Sequence, residues 1–261
     1  MNLLVDKKDG VARVTLNRPD VRNAFDDALI ASLTQTFSAL NSDAMVKVVV
    51  LGGNGPAFCA GADLNWMKRM AGYGYDDNLR DARALAEMLA TLDGLDKPTI
   101  ARVHGPAFAG GTGLVAACDI AVGTPEAKFC FSEAKLGLSP ATISPYVMRA
   151  IGARAASRYF LGAEVFDAQE ALRIGMLSAL VPAAELDSTV EALVQHLLAG
   201  GSEAHARIKD LIRQVTGRPI DDELRGDTAR RIAEIRASPE GKEGIAAFLE
   251  KRKPKWFSGK S

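Results

Sequence analysis

Apolar and polar positions alternate over residues 3–5 and again over residues 11–16, with Lys8-Asp9-Gly10 between them. That pattern predicts a β-hairpin. The polar loop Asn17-Arg-Pro-Asp-Val-Arg-Asn23 gives way to apolar positions at helical spacing over residues 26–40. Residues 46–51 are then almost continuously β-branched, the pattern of a parallel strand covered on both faces. A small-residue turn, Gly52 to Asp63, leads into a short helix over residues 64–70, a polar tyrosine-containing loop over 73–77 and a helix over 78–92. Residues 99–103 predict a buried strand bounded by Pro98, followed by a second glycine turn and the helical run 114–117. Strands are expected at 120–122 and 129–131, a loop from 136 to 145, and a helix over 150–161. Asp167-Ala-Gln-Glu170 has the form of a capping box before a short helix, and residues 177–181 read as a strand.

Strands separated by helical segments imply an α/β core built of βα or ββα crossovers. No repeat at a fixed period is present. From about Leu186 the strand signals stop, and helices are expected over 204–215, 221–237 and 241–251. The chain therefore divides into an α/β core, residues 1–195, and a helical region, residues 196–261. Leu211, Ile212, Ile232 and Ile235 are more apolar surface than so small a helical layer buries by itself, which points to packing on another subunit.

Composition narrows the class of ligand. With 261 residues, 48% of them hydrophobic, the chain can bury a large core. Its 32 basic and 32 acidic residues balance, with no long like-charge block before the C-terminus, which argues against nucleic acid and for a small molecule. Cys59, Cys118 and Cys130 form no CxxC pair, and His104, His196 and His205 form no metal-ligand pair, so no metal site is expected. Early charge at the N-terminus does not fit a signal peptide, and no apolar run approaches the roughly 20 residues that span a bilayer. A soluble cytoplasmic protein in a reducing compartment is the expectation. No nucleophile elbow or Walker loop is present.

Two small-residue turns, Ala60-Gly61-Ala62-Asp63 and Ala109-Gly110-Gly111, each follow a strand and precede a helix. If those strands are neighbours, backbone N–H groups from both turns converge on one oxygen, as an enolate or tetrahedral oxyanion requires. A plain strand-to-helix turn remains the alternative for either one alone. Gly111-Thr-Gly-Leu-Val-Ala116 also matches a dinucleotide-binding fingerprint, a loose match common by chance. The third element is Lys128-Phe-Cys-Phe-Ser-Glu133, where a strand would place Phe129, Phe131 and Glu133 on one face and raise the carboxyl pKa by desolvation. A glutamate turned to solvent or paired with Lys135 is the alternative. For His104 a packing or hydrogen-bonding role outweighs catalysis, and for Asp63 and Asp119 capping and turn roles are the default. Trp66 and Met67 suit an acyl pocket or the core equally.

Together these residues resemble the enoyl-CoA hydratase/isomerase (crotonase) superfamily over essentially the full length. The likeness rests on Leu16-Asn-Arg-Pro19 with Asn23-Ala24, Phe58-Cys-Ala-Gly-Ala-Asp63, His104-Gly-Pro-Ala-Phe-Ala-Gly-Gly111, Cys118-Asp-Ile120, Phe131-Ser-Glu133 and Glu250-Lys-Arg-Lys-Pro254. Gly61-Ala-Asp-Leu-Asn-Trp-Met67, Ala141-Thr-Ile-Ser-Pro-Tyr-Val147 and Arg158-Tyr-Phe-Leu161 are similar to bacterial members described as methylglutaconyl-CoA hydratases. The resemblance implies a spiral of ββα units, a C-terminal helical trimerisation region, and a homotrimer or dimer of trimers. It implies an acyl-CoA thioester substrate, with coenzyme A as part of the substrate and no separate cofactor. Oxyanion donors would be the N–H groups of Ala62 and Gly110, and the protonating carboxyl Glu133. Ala60, Asp63, Leu64 and Asn65 would line the thioester and pantetheine, with Arg22 near the CoA phosphates and Lys255, Trp256 and Phe257 approaching the CoA of a neighbouring subunit.

One departure matters. The two-glutamate hydratases of this family carry their other catalytic glutamate where this chain has Gly113. Either Glu133 alone activates water and protonates Cα, or a distal substrate carboxylate occupies the space freed at Gly113. An enoyl-CoA isomerase, which needs one base, is the alternative enzyme. A dinucleotide-dependent oxidoreductase and a non-catalytic CoA-binding protein are alternatives of other classes.

Overall fold

The computed structural model describes residues 2–257; Met1 and residues 258–261, the last of the predicted helical region, lie outside the described residues. Strands β1 (Leu3–Lys8) and β2 (Val11–Leu16) form the expected hairpin, with Asp9 and Gly10 both at positive φ as a two-residue turn demands. Asp26 caps α1 (Asp27–Ser42) by accepting the Leu29 N–H. Every residue of β3 (Val48–Gly53) is buried, as its unbroken apolar pattern requires. Helix α2 (Leu64–Met70) matches its expected bounds. Helix α3 (Tyr75–Asp93) begins inside the segment expected to be a loop, with Asp76 and Asp77 in its first turn complementing the helix dipole.

Next come β4 (Thr99–Val103), β5 (Ala107–Phe108), α4 (Gly110–Ala117), β6 (Ile120–Gly123) and β7 (Lys128–Cys130). Helix α5 (Ser144–Gly162) also starts earlier than expected, since Pro145 fits a helical first turn where its missing N–H costs nothing. Gly152, at φ 72°, breaks this helix into two pieces. Then follow β8 (Phe166–Asp167), α6 (Ala168–Ile174), β9 (Ala179–Leu180), α7 (Leu186–Leu198), α8 (Ser202–Val215), α9 (Asp222–Ala237) and α10 (Pro239–Leu249). Among the described residues no helix is long and apolar enough to cross a membrane.

The large sheet runs β1-β2-β3-β4-β6-β9, parallel throughout except for the first hairpin. A second, smaller sheet runs β5-β7-β8, and isolated bridges Cys59–Ala107 and Phe25–Ala62 continue it sideways. The chain therefore repeats one move. A strand in the large sheet is followed by a short extended segment in the small one and then by a helix: β2, Phe25, α1; β3, residues 59–62, α2 and α3; β4, β5, α4; β6, β7, α5. This is a spiral of ββα units. It stacks the small-sheet segments side by side, so loops far apart in sequence meet along one line.

One core lies between the two sheets and the helices, around Phe25, Phe37, Phe58, Phe129, Phe131 and Tyr159. The outer face of the large sheet is closed by α7, whose Leu186, Val190 and Val194 pack on Val48, Val50, Ile100 and Val122. Helix α8 is tied down by Lys209, only 8% exposed, which donates to Asp119 Oδ2 at 2.7 Å. The same oxygen accepts the backbone and hydroxyl of Thr99, each at 2.8 Å, so Asp119 ties β4 to α8. On the helical layer Ile208, Ile212, Ile232, Ile245, Phe248 and Leu249 are exposed, while Leu211 and Ile235 are half-buried.

Replacing Asp119 by Ala leaves the buried Lys209 ammonium with Lys97 O, at 3.1 Å, but without its counter-charge. It should lower the stability of the fold by about 2 kcal/mol, below the roughly 3–5 kcal/mol of a fully buried pair because Asp119 is partly solvated. A shifted denaturant midpoint at unchanged slope would register this.

Candidate active site

The stacking of small-sheet segments brings the two glycine turns together. Residues 59–63 lie between residues 22–25 on one side and β5 on the other. Ala60 N–H donates to Arg22 O (3.0 Å), Phe25 N–H to Gly61 O (2.6 Å) and Asp63 N–H to Phe25 O (2.7 Å). On the other side Cys59 N–H donates to Pro106 O (3.1 Å) and Phe108 N–H to Cys59 O (2.9 Å). Gly61, at φ 92°, lets the turns touch: a Cβ there would stand 3.2 Å from Ala109 Cβ.

Two peptide planes then set the direction of two donors. In a trans peptide the C=O and the following N–H point opposite ways. Gly61 C=O is held by Phe25, so the Ala62 N–H points away from Phe25, to the side that carries β5 and Ala109. Ala109 C=O points into α4, where it accepts from Thr112 N (3.0 Å) and Gly113 N (3.3 Å), so the Gly110 N–H points out of the helix N-terminus. Ala109 achieves this at φ 46°, ψ −117°, a conformation unusual for a residue with a Cβ. Among the described residues neither the Ala62 nor the Gly110 N–H has a hydrogen-bond acceptor.

Glu133 does not sit on a strand. β7 ends at Cys130, Ser132 turns to helical backbone angles, and Glu133 opens a 3-10 turn, Glu133–Leu136, which Gly137 closes. The alternation that was to put Glu133 beside Phe129 and Phe131 thus stops at Phe131, which is wholly buried. Glu133 is placed instead by the end of β7, where Cys130 O accepts the Ala109 N–H at 2.8 Å, three residues upstream and against the second turn. Its Oε2 is buried with no partner among the described residues, so neither the solvent-facing nor the Lys135-paired alternative describes it. Burial pushes its pKa up, partly opposed by a hydrogen bond from its own amide.

The remaining expected site residues are dispersed around this centre. Arg22 is exposed at φ 53°, its carbonyl committed to Ala60. Leu64 and Asn65 are exposed at the start of α2, and Ala60 is half-buried. The Asp63 carboxylate is engaged within the protein: Oδ1 caps α2 through Asn65 N and Trp66 N, and Oδ2 meets Arg18 at 3.1 Å. Those bonds hold its pKa down against the opposing effect of burial. Trp66 is core, donating to Asp81 at 3.1 Å. Trp256 folds back on its own chain, its ring nitrogen donating to Ala199 O and its carbonyl accepting from Lys47. His104 Nε2 bonds Gly55 O at 2.9 Å, while its Nδ1 is buried without a partner among the described residues and burial lowers its pKa. Gly111 packs against the Cys59 backbone with no room for a Cβ, which gives that glycine a structural reason without a dinucleotide.

The space at Gly113 is not free. A Cβ there would stand 3.0 Å from Ile143 Cβ, closer still to its Cγ2, and 3.6 Å from Leu89 Cδ2. Ile143, 1% exposed, fills the position from the residue before α5. A substrate carboxylate therefore cannot lodge there, which overturns that expectation. Ile143 falls in the segment expected to be a loop, within the motif 141–147, and nothing in the residues around it pointed to Gly113. Gly113→Ala should cost about 1–3 kcal/mol by overpacking, and Ile143→Ala in the same chain should recover part of it; thermal unfolding of the four proteins in that cycle measures both.

Outward N–H groups from two abutting turns and a partly desolvated carboxyl near one of them, its Oε2 without a partner among the described residues, can hold an oxyanion and move a proton. The chain matches the family model for enoyl-CoA hydratase/isomerase over residues 6–259. It is 34% identical over 259 residues to 2,3-dehydroadipyl-CoA hydratase of Escherichia coli, covering 97% of each. It is 30% identical over 260 residues to crotonyl-CoA hydratase of Syntrophomonas wolfei, covering 98% of each. The crystal structure of an enoyl-CoA hydratase from Shewanella pealeana superimposes with a TM-score of 0.96 at 42% identity, over 98% of this chain and 96% of that one. By geometry, sequence and fold alike, this chain belongs to the enoyl-CoA hydratase/isomerase family.

Proposed function

We propose that the protein adds water across the double bond of a 2-enoyl-CoA thioester, or removes it, with Ala62 and Gly110 as oxyanion donors and Glu133 as the sole acid/base. The observation that carries this reading is the pair of unclaimed, outward N–H groups near Glu133, whose Oε2 is buried with no partner among the described residues. The thioester oxygen sits between the two amides. Glu133 takes a proton from water as the water oxygen attacks Cβ, and the electron pair of the double bond passes to the thioester oxygen as an enolate. The enolate collapses, Cα takes the proton back from Glu133, and the carboxylate is regenerated. Both proton transfers use one carboxyl, so hydroxyl and hydrogen arrive on the same face.

The acyl group proposed is 3-methylglutaconyl or a related branched chain, a step of leucine breakdown. Its support is the motif likeness at residues 61–67, 141–147 and 158–161, with Ile143 requiring that any distal carboxylate lie away from Gly113. Ala60, Leu64, Asn65 and the backbone of Asp63 would line the pantetheine, and Arg22, exposed and cationic, would meet the CoA phosphates. CoA arrives with the substrate, and no separate cofactor enters the scheme. Residues 196–261 would form the contacts of a cytoplasmic homotrimer or dimer of trimers, for which the exposed Ile208, Ile212, Ile232, Ile245 and Phe248 supply apolar area. The packing of Gly111 on Cys59 removes the motive for the dinucleotide alternative.

A second reading, 3-enoyl to 2-enoyl isomerisation, is favoured by the same apolar contact of Ile143 on Gly113: a 1,3 proton shift needs one base and no held water. A panel of 2-enoyl and 3-enoyl thioesters, with and without a branch and a terminal carboxylate, separates the two by product mass and loss or gain of conjugation. Hydration of the branched 2-enoyl substrate is expected; isomerisation without hydration would establish the second reading. Glu133→Gln should abolish either reaction while leaving acyl-CoA binding intact.

The raised pKa of Glu133 has two consequences of opposite sign. As a base it must be ionised, so kcat/KM should rise with pH through the raised value and then level off. A carboxyl whose folded pKa is raised contributes stability below its unfolded pKa of about 4.3 and loses it as pH climbs through the folded value. Glu133→Gln should therefore raise the thermal midpoint near neutral pH, and the difference should vanish in acid.

A further inference from the structure

The Asn17-Arg18-Pro19 and Asn23-Ala24 motif has no part in the chemistry above, yet its side chains converge on the first turn. Arg18 donates to Ala24 O, and its Nη2 lies 2.9 Å from Asp26 Oδ2 and 3.1 Å from Asp63 Oδ2. Each of those aspartates uses its other oxygen to cap a helix, Asp26 on Leu29 N for α1 and Asp63 on Asn65 N and Trp66 N for α2. One guanidinium thus joins the N-caps of two helices, and those caps flank the ladder that pairs residues 22–25 with 60–63. Asn23, wholly buried, fixes the other end of the motif: its Oδ1 accepts the Arg18 N–H at 2.8 Å and its Nδ2 donates to Asn54 O and Ala57 O, each at 2.9 Å. The Arg18 side chain is 15% exposed and that of Asp63 7%, so this is a partly desolvated cluster.

We infer that Arg18 is a positioning residue for the oxyanion site, acting through Asp63 on the Ala62 donor; the inference rests on the role proposed above for Ala62. Two physical effects act together. The clamp holds Phe25 against Gly61, and the orientation of the Gly61–Ala62 peptide depends on the Phe25 N–H to Gly61 O bond. The guanidinium also offsets a carboxylate one residue from the N–H that must receive negative charge. Without Arg18 that carboxylate would oppose the charge that develops in the enolate, while a neutral ground-state thioester would scarcely feel it.

The selective cost to the charged state makes the inference testable apart from folding. Arg18→Met should lower kcat about 100-fold, the scale of an ångström-level misplacement, with KM changed by less than about threefold. Binding of acetoacetyl-CoA should persist while the ultraviolet band of its bound enolate is lost. Adding Asp63→Asn, which keeps the helix cap but removes the charge, should restore at least about tenfold of the lost kcat, and Arg18→Lys should fall between wild type and Met. Arg149→Met, which breaks an ion pair with Asp93 outside this cluster, controls for lost stability and should leave the enolate band unchanged. A folded Arg18→Met protein with near-wild-type kcat overturns the inference, as does a loss that neither Asp63→Asn nor Arg18→Lys relieves. If Arg18→Met does not fold, Arg18→Lys decides by the same band. A wild type that binds acetoacetyl-CoA without the band removes the oxyanion reading and this inference with it, whereas a band present but unmoved in the variants removes this inference alone.

Discussion

The site depends on the planarity of two peptide bonds whose carbonyls are held from behind. Gly61 C=O is gripped by Phe25 and Ala109 C=O by the first turn of α4, so the N–H groups on their far sides have one direction left to point. No side chain is needed to make these donors, so residues as plain as Ala62 and Gly110 can supply them. The carbonyls are held by backbone N–H groups in turn, that of Phe25 on a residue whose side chain is wholly buried and those of Thr112 and Gly113 on α4, while Ala109 is fastened to the end of β7 through its own N–H to Cys130 O.

The ββα spiral is the device that makes such holding possible. Each small-sheet segment is only two or three residues long and has little stability of its own. It is fixed because the large-sheet strand before it and the helix after it are both buried, from the apolar β3 to the α4 residues Leu114 to Ala117. Polar chemistry thus sits on short segments suspended between two well-packed layers, close enough for residues 25, 62, 107 and 129 to act as one surface.

Much of this was legible in the sequence because burial writes itself as pattern. The almost continuous β-branched run at residues 46–51 was read as a buried strand, which β3 is; the glycine turns kept a plain strand-to-helix alternative, and Glu133 was singled out from the alternation with Phe129 and Phe131. Its placement was misjudged, since alternation reports a strand only while the strand lasts and Ser132 ends it. Helices α3 and α5 began earlier than expected because tyrosine, aspartate and proline, read as loop formers, are also residues that open helices. Interactions across long sequence gaps left no local signal at all: the Arg18 bridge to Asp63, the filling of Gly113 by Ile143 and the return of Trp256 to Ala199 are facts of packing.

The contact between residues 113 and 143 also constrains how such a site can change its chemistry. A larger residue at 113 meets Ile143 at once, whereas trimming 143 first leaves a hollow that the fold can survive. The two positions are therefore coupled, and residue 113 can enlarge only as far as residue 143 gives way. A single buried isoleucine thus limits which side chains position 113 can carry.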